Sequence, residues 1–404
     1  MISLRFIVRR CGRCCTLCNV VKILLIGPCL LFLLFLLLVF HPKIAPERFN
    51  KALGRCSDDE DRRFINDVCL NFSKGVISGP LCRPLCLNGD IVYKHCLGHG
   101  GKIVIEAQYE NRPVIVKASE RSVFHYYVPI EDDLLRRLSE RERDKMIRDA
   151  VFRQANDVIK PFSVDDKMMA KRFLGEKNLT LADSLTLFSL LGQDEFMRLL
   201  LLTGTQHVPA LYGWCGHVYA MEYITSDDFL PILHPISSRH TWEERVRVAL
   251  SFLDMVKSFK NTPYGELFMC DVQESNFGIT PGFIVYAIDI DLTFFTEQLK
   301  FIITQPKCKR DDECNFFDCV AICDKEKGKC TTNIKTNNFQ VLCSDIFQSK
   351  LLSLRGLLVH PPKLIAGRLR TLLSDCGKTN DSVIPAAYYE NLYHKLRNLL
   401  LHSI

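Results

Sequence analysis

The chain has 404 residues, 48% of them hydrophobic and 24% charged, with a formal net charge of +6. That length accommodates two lobes with cores of their own, and outside the amino terminus the basic residues form no long tract. A nucleic-acid-binding surface, which needs clustered Lys and Arg, is therefore excluded.

Residues 1–19 form a basic tail carrying Arg5, Arg9, Arg10 and Arg13. Residues 20–40 are apolar except for Lys22, long enough at about 1.5 Å per residue to cross a thin bilayer, and are read as one transmembrane helix. The excess of positive charge before it predicts a single-pass type II signal-anchor, with everything after Pro42 in the lumen. A cleaved signal peptide is disfavoured by the long leucine run and the lack of a small-x-small site. Cys11, Cys14, Cys15 and Cys18 read as S-acylation sites or reduced thiols rather than a zinc site. Arg9 and Arg10 resemble the arginine pairs that hold type II proteins in the endoplasmic reticulum.

Beyond the anchor stand fourteen cysteines, an even number on the side expected to be oxidising, and disulfides are predicted. Asn71, Asn178 and Asn380 begin glycosylation triplets on the same side. Residues 41–96 have too few apolar side chains for a separate core and read as a disulfide-stapled cap on the lobe that follows.

From Asp90 the pattern turns to strands. IVYKHCL, KIVIEAQY and PVIVKAS alternate as an antiparallel meander should, with turn signals at 98–101 and 111–113. Gly98 and Gly100 stand in the G-x-G relation that lets a loop approach phosphates, although a plain hairpin turn would use the same residues. Lys117 ends a strand that resembles the V-A-I-K strand of kinases, where the lysine faces the nucleotide cleft. It needs a carboxylate partner. Glu140 and Glu142 lie on a helix expected over 131–159, and Glu195 on a second helix over 181–202; Glu195 is preferred because it stands thirteen residues before Val208 and the next strand. Glu222 and Ile224, where a strand turns polar, read as a hinge whose backbone faces an adenine edge, or as an ordinary strand end.

Thr241 and Glu244 form a capping box for a helix with an apolar stripe at Val246, Leu250, Leu253 and Val256. This helix leads to Asp271. Asn276 follows five residues later, and Asp289 ends the strand GFIVYAID eighteen residues beyond Asp271. Such spacing suits phosphoryl transfer: Asp271 for the attacking hydroxyl, Asn276 and Asp289 for metal ions, with Asp291 a second candidate ligand. Residues 308–330 then pack five cysteines where an activation segment would lie, read as disulfides in preference to a zinc site. Helices are expected over 346–358, 363–374 and 386–402.

Met269, Cys270, Asp271 and Asn276 fill the H-R-D-x-x-x-x-N pattern of protein kinases, and Asp289, Ile290 and Asp291 fill D-F-G; both motifs are broken. With its basic tail, anchor and cysteine-rich remainder, the chain resembles, over nearly its whole length, the FAM69 or divergent protein kinase domain 1 family of the endoplasmic reticulum membrane. The resemblance implies an α+β, divergent two-lobed protein-kinase-like fold, with an antiparallel-sheet N-lobe over 97–224 and a mainly helical C-lobe over 225–404, after one transmembrane helix. It also implies an EF-hand-like insertion in the first lobe, degenerate here because Arg172, Leu174 and Lys177 stand where a calcium loop needs oxygens and a glycine, so calcium is not expected. The function implied is an ATP- and Mg- or Mn-dependent phosphotransferase acting on a hydroxyl of a lumenal or secreted protein or glycan. The alternative is an inactive pseudokinase acting as a lumenal scaffold. No A-P-E motif follows and Cys270 replaces the arginine, so control by loop phosphorylation is not expected.

Overall fold

The computed structural model describes residues 57–99, 101–119, 137–159, 179–224, 230–233, 240–348, 356–378 and 385–404. The chain enters through helix α1 (Asp58–Ser73), whose first turn carries four acidic residues against the exposed N–H groups and whose cap is the Ser57 hydroxyl. A short helix α2 (Cys82–Cys86) follows. Disulfides Cys69–Cys86 and Cys82–Cys215 fasten this cap to itself and to the sheet beneath it. Between the helices, Leu81 N donates to Trp214 O and Gly216 N to Ser78 O, which covers an edge strand that would otherwise be open. Gly79 makes this approach possible: a Cβ there would meet Trp214 O at 2.2 Å.

Strands β1 (Ile91–His99), β2 (Lys102–Tyr109), β3 (Arg112–Ser119), β4 (Leu211–Cys215) and β5 (Val218–Glu222) form one antiparallel sheet in the order β1-β2-β3-β5-β4. Strict alternation splits it into two faces. Ile103, Ile105, Ala107, Val114 and Val116 pack against Phe64, Val68, Ile77 and Leu81 of the cap. Ile115, Tyr219 and Met221 point the other way, into the main core.

Helix α3 (Glu140–Ile159) starts at a box in which Ser139 N and Oγ donate to Glu142 Oε2. The helix expected over 181–202 is two helices, α4 (Leu181–Leu191) and α5 (Asp194–Leu201). Gly192 ends the first, and Gln193 is held between the end of β3 and the β4–β5 turn, accepting from Ser119 N at 2.8 Å and donating to His217 O at 2.7 Å. Of the degenerate calcium loop, Arg172, Leu174 and Lys177 lie outside the described residues, whereas Asp183 at its end lies inside them. It caps α4 together with Thr180 and accepts from Ser78 Oγ.

The second lobe is built on α6 (Trp242–Lys260), which begins at the Thr241–Glu244 capping box. Its buried face is broader than the expected stripe: Val248, Ala249, Phe252, Met255 and Phe259 join Val246 and Leu253, while Leu250 and Val256 are only partly buried. After it come β6 (Leu267–Met269), β7 (Phe277–Ile279), β8 (Val285–Ala287) and β9 (Thr293–Phe295), pairing as β6–β9 and β7–β8. Helix α7 (Thr296–Ile303) leads into a three-stranded hairpin of β10 (Asn315–Phe316), β11 (Cys319–Asp324) and β12 (Lys329–Ile334), stapled by Cys308–Cys323 and Cys314–Cys330. Helices α8 (Asn338–Leu342), α9 (Lys363–Cys376) and α10 (Ala386–Leu401) close the core, with Cys343–Cys376 joining the turn after α8 to α9.

One part of the expectation is corrected. Among the described residues no helix is long and apolar enough to cross a membrane, so the transmembrane helix in the expected fold, the signal-anchor, the single-pass type II arrangement and the membrane as partner are not carried forward. The longest described helices, α3 and α6, carry charged side chains along their length, as amphipathic helices of a globular core do. Residues 20–40 lie outside the described residues, as do Gly100, Asn178, Asn380 and all four cysteines of the tail.

Candidate active site

The pleat of the sheet decides which side chains face the cleft between the lobes. Val104 pairs with Lys117 across β2 and β3, and Lys102 lies one pleat step from Val104 on the same face. Lys117 is buried, and its Nζ lies 2.6 Å from Glu195 Oε1 and donates to Ile288 O at 2.8 Å. Glu195 comes to this position because the break at Gly192 and Gln193 starts α5 directly beside the sheet. Burial, and next the Glu195 carboxylate, push the Tyr219 phenol well above its ordinary value, so the ring beside this pair stays neutral.

A second lysine, overlooked in the sequence, completes the cluster. Lys102 Nζ lies 2.5 Å from Asp289 Oδ1, 2.8 Å from Glu195 Oε2 and 3.0 Å from Asp291 Oδ2. Burial would lower its pKa, but Glu195, Asp289 and Asp291 outweigh that and hold the ammonium above its usual range. Its signal was present in the strand pattern: in KIVIEAQY the apolar Ile103 and Ile105 take one face, which leaves Lys102 on the face of Lys117.

Below the cleft, Asn276 Nδ2 donates to Asp271 Oδ2 at 2.8 Å and to Asp271 O at 3.0 Å, and Gln273 Nε2 donates to the same carboxylate oxygen at 2.8 Å. Asp271, Asn276 and Asp289 line one small cavity of about 10 Å³, room for a single water-sized occupant. The loop is held from behind. Cys270 is bonded to Cys319, Asp318 N donates to Cys270 O at 2.9 Å, and Val272 N donates to Asp318 Oδ2 at 2.6 Å. From α5, buried Arg198 donates through Nε to Thr293 O at 2.6 Å and sits over the Phe294 ring, which fastens the segment after Asp291 to the helix of Glu195.

Above these polar groups lies a cavity of about 270 Å³ lined by Leu97, Gly98, Val104, Ile115, Met221 and Ile224, with Lys117 and Asp289 at its polar end. It is just below the range of roughly 300–1,000 Å³ typical of small-molecule clefts. Gly98 and Ile224 thus reach the cleft. Glu222 does not line it: its N–H donates to Ala210 O at 2.8 Å, and its carboxylate accepts from Ala210 N at 3.2 Å. A larger cavity of about 550 Å³ lies between α6 and α10 and is lined by none of the cleft residues.

The oxygens of Asn276 and Asp289 are hard donors of the kind Mg²⁺ and Mn²⁺ take, and the small cavity beside them suits one ion. A different group, the sulfurs of Cys308, Cys314 and Cys330, lies within 4.8 Å and could hold a metal ion as thiolates. In the structure each is bonded in a disulfide, and none lines the cleft.

Residues 187–379 match the protein-kinase domain of FAM69, and residues 49–154 match its amino-terminal cysteine-rich segment of the endoplasmic reticulum. Protein O-mannose kinase of Xenopus laevis is 24% identical over 272 residues, covering 60% of this chain and 73% of the relative. With both FAM69 segments matched in order on a two-lobed fold, the chain belongs to the FAM69 family of kinase-like, cysteine-rich proteins of the endoplasmic reticulum.

Proposed function

We propose that the chain is an ATP- and metal-dependent phosphotransferase that acts on a hydroxyl of a secretory-pathway substrate. The observation that carries the reading is that Lys117, paired with Glu195, and Asp289 stand at the polar end of one apolar cleft, while Asp289 also lines the small cavity beneath it with Asn276 and Asp271. The nucleobase takes the apolar part, and Lys117, held by Glu195, faces the phosphates. Asn276 and Asp289 would hold the ion. When bound, it neutralises charge on the triphosphate. Asp271 uses Oδ2 for Gln273 and Asn276, which leaves Oδ1 to orient the acceptor hydroxyl and take its proton. The acceptor oxygen then bonds to the γ-phosphorus as the bond to the β-phosphate oxygen breaks and ADP leaves. The name of the relative, protein O-mannose kinase, supports a sugar hydroxyl as one acceptor class, beside a protein hydroxyl.

The test is calorimetric binding of ATP with Mg²⁺ or Mn²⁺, followed by transfer to a panel of secretory proteins and glycans. Asp289→Ala should abolish the metal-dependent part of binding, whereas Asp271→Ala should spare binding and remove transfer. Absence of nucleotide binding with either ion would sink the reading and favour a scaffold.

A further inference from the structure

Lys102 lies where a kinase-type site would hold a metal ion. Its ammonium has three N–H donors, and three carboxylates surround it: Asp289 at 2.5 Å, Glu195 at 2.8 Å and Asp291 at 3.0 Å. It donates a hydrogen bond to Asp289 Oδ1 and forms ion pairs with all three acids. The side chain is only 22% exposed and reaches the acids from β2, on the cleft face it shares with Val104 and Lys117.

We propose that Lys102 is a tethered cation that replaces one of the two divalent ions of a kinase-type site, so that the chain binds nucleoside triphosphate with a single metal ion. This inference rests on the phosphotransferase reading above. Mg²⁺ requires near-octahedral oxygen ligands at about 2.0–2.1 Å, and Asp289 Oδ1 and Asp291 Oδ2, the oxygens that would complete a second such shell, are engaged by the ammonium at 2.5 and 3.0 Å. The opposite side of Asp289, toward Asn276 and the small cavity, remains for one ion.

The experiment counts ions. Purified full-length chain, saturated with a non-hydrolysable ATP analogue, is titrated with Mn²⁺ and read by electron paramagnetic resonance, after calorimetry has established that the analogue binds. The wild-type complex should take one Mn²⁺. Lys102→Met, which removes the charge and keeps an unbranched chain, should take a second, and its second-site affinity should exceed any in the wild type by at least about tenfold. Two ions in the wild type, or an unchanged count in Lys102→Met, would overturn the inference and leave the phosphotransferase reading intact. Failure of the analogue to bind the wild type would overturn both. Should Lys102→Met not fold, the wild-type count alone decides.

Discussion

Cys270 is covalently joined to Cys319, so the residue immediately before Asp271 is bonded to the cysteine-rich hairpin. In many kinases the corresponding position holds an arginine that pairs with a phosphorylated loop; here a disulfide provides the fixed contact. Replacing both cysteines by serine releases a closure of 49 residues, for which chain entropy alone gives a loss of up to about 4 kcal/mol. Urea unfolding should register that loss. Transfer should fall while nucleotide affinity stays within about threefold, since Cys270 lies behind the catalytic loop and not in the cleft. Unchanged turnover would show that the hairpin does not position Asp271.

The two lysines make an unequal pair of predictions. Lys117→Ala leaves Glu195 still paired with Lys102, whereas Glu195→Ala leaves a buried ammonium at Lys117 with no carboxylate. Breaking a buried pair costs about 3–5 kcal/mol, and Glu195→Ala should fall at the upper end, Lys117→Ala at the lower. Denaturant midpoints of the two variants, compared under one condition, check the order.

Arg198→Met should also destabilise. It removes a charged hydrogen bond to Thr293 O, worth about 1.5–3 kcal/mol, and leaves that buried carbonyl without its donor. Because the contact ties α5 to the segment after Asp291, nucleotide affinity should drop together with stability. A loss of stability with unaltered affinity would limit Arg198 to packing.

Acid should weaken the fold through His217. Burial lowers its pKa from 6.5 to about 4, against the Phe64 ring of the cap. The folded chain therefore holds the imidazole neutral where the unfolded chain protonates it. Stability from this group is complete above pH 6.5 and declines as pH falls toward 4, by up to about 3 kcal/mol. Thermal melts of wild type and His217→Phe between these limits should diverge with falling pH in favour of the variant.

Much of this was legible in the letters. Alternating β-branched residues with glycine and asparagine turns mark β1 to β3, and the thirteen-residue spacing before Val208 singles out Glu195, which the structure brings to Lys117. Asp271, Asn276 and Asp289 stand out by spacing and share one cavity. Lys102 was hidden because GHGGK reads first as a glycine turn, and only the pleat of the finished sheet reveals which face the lysine takes. Gly192 inside an apolar run looks like a tolerated helix residue until Gln193 is seen bound to the end of β3 and to the β4–β5 turn. Disulfide partners depend on through-space proximity that linear spacing does not encode: Cys270 reads only as a lost arginine, and its bond to Cys319 needs the hairpin folded back. The anchor expectation came from the hydropathy and length of residues 20–40, the positive charge before them and the family resemblance, and among the described residues no helix is long and apolar enough to cross a membrane.

The bond between Cys82 and Cys215 has a consequence for biosynthesis. Its partners are 133 residues apart, while Cys69 and Cys86 are 17 apart. At about 5–20 residues per second, synthesis leaves Cys82 without its partner for roughly 7–27 s, with Cys69 and Cys86 close at hand. During that interval the nascent cap holds five thiols, those of Cys56, Cys69, Cys82, Cys86 and Cys96, that can pair wrongly, and correct pairing of Cys82 must await β4. The cap should therefore mature through thiol exchange, with dependence on an isomerase. Pulse-labelled chains trapped with a thiol-blocking reagent should contain early species bonded within 69–86, and Cys215→Ser should make them persist; prompt appearance of a single native pattern in that variant would show that the cap pairs independently of the sheet.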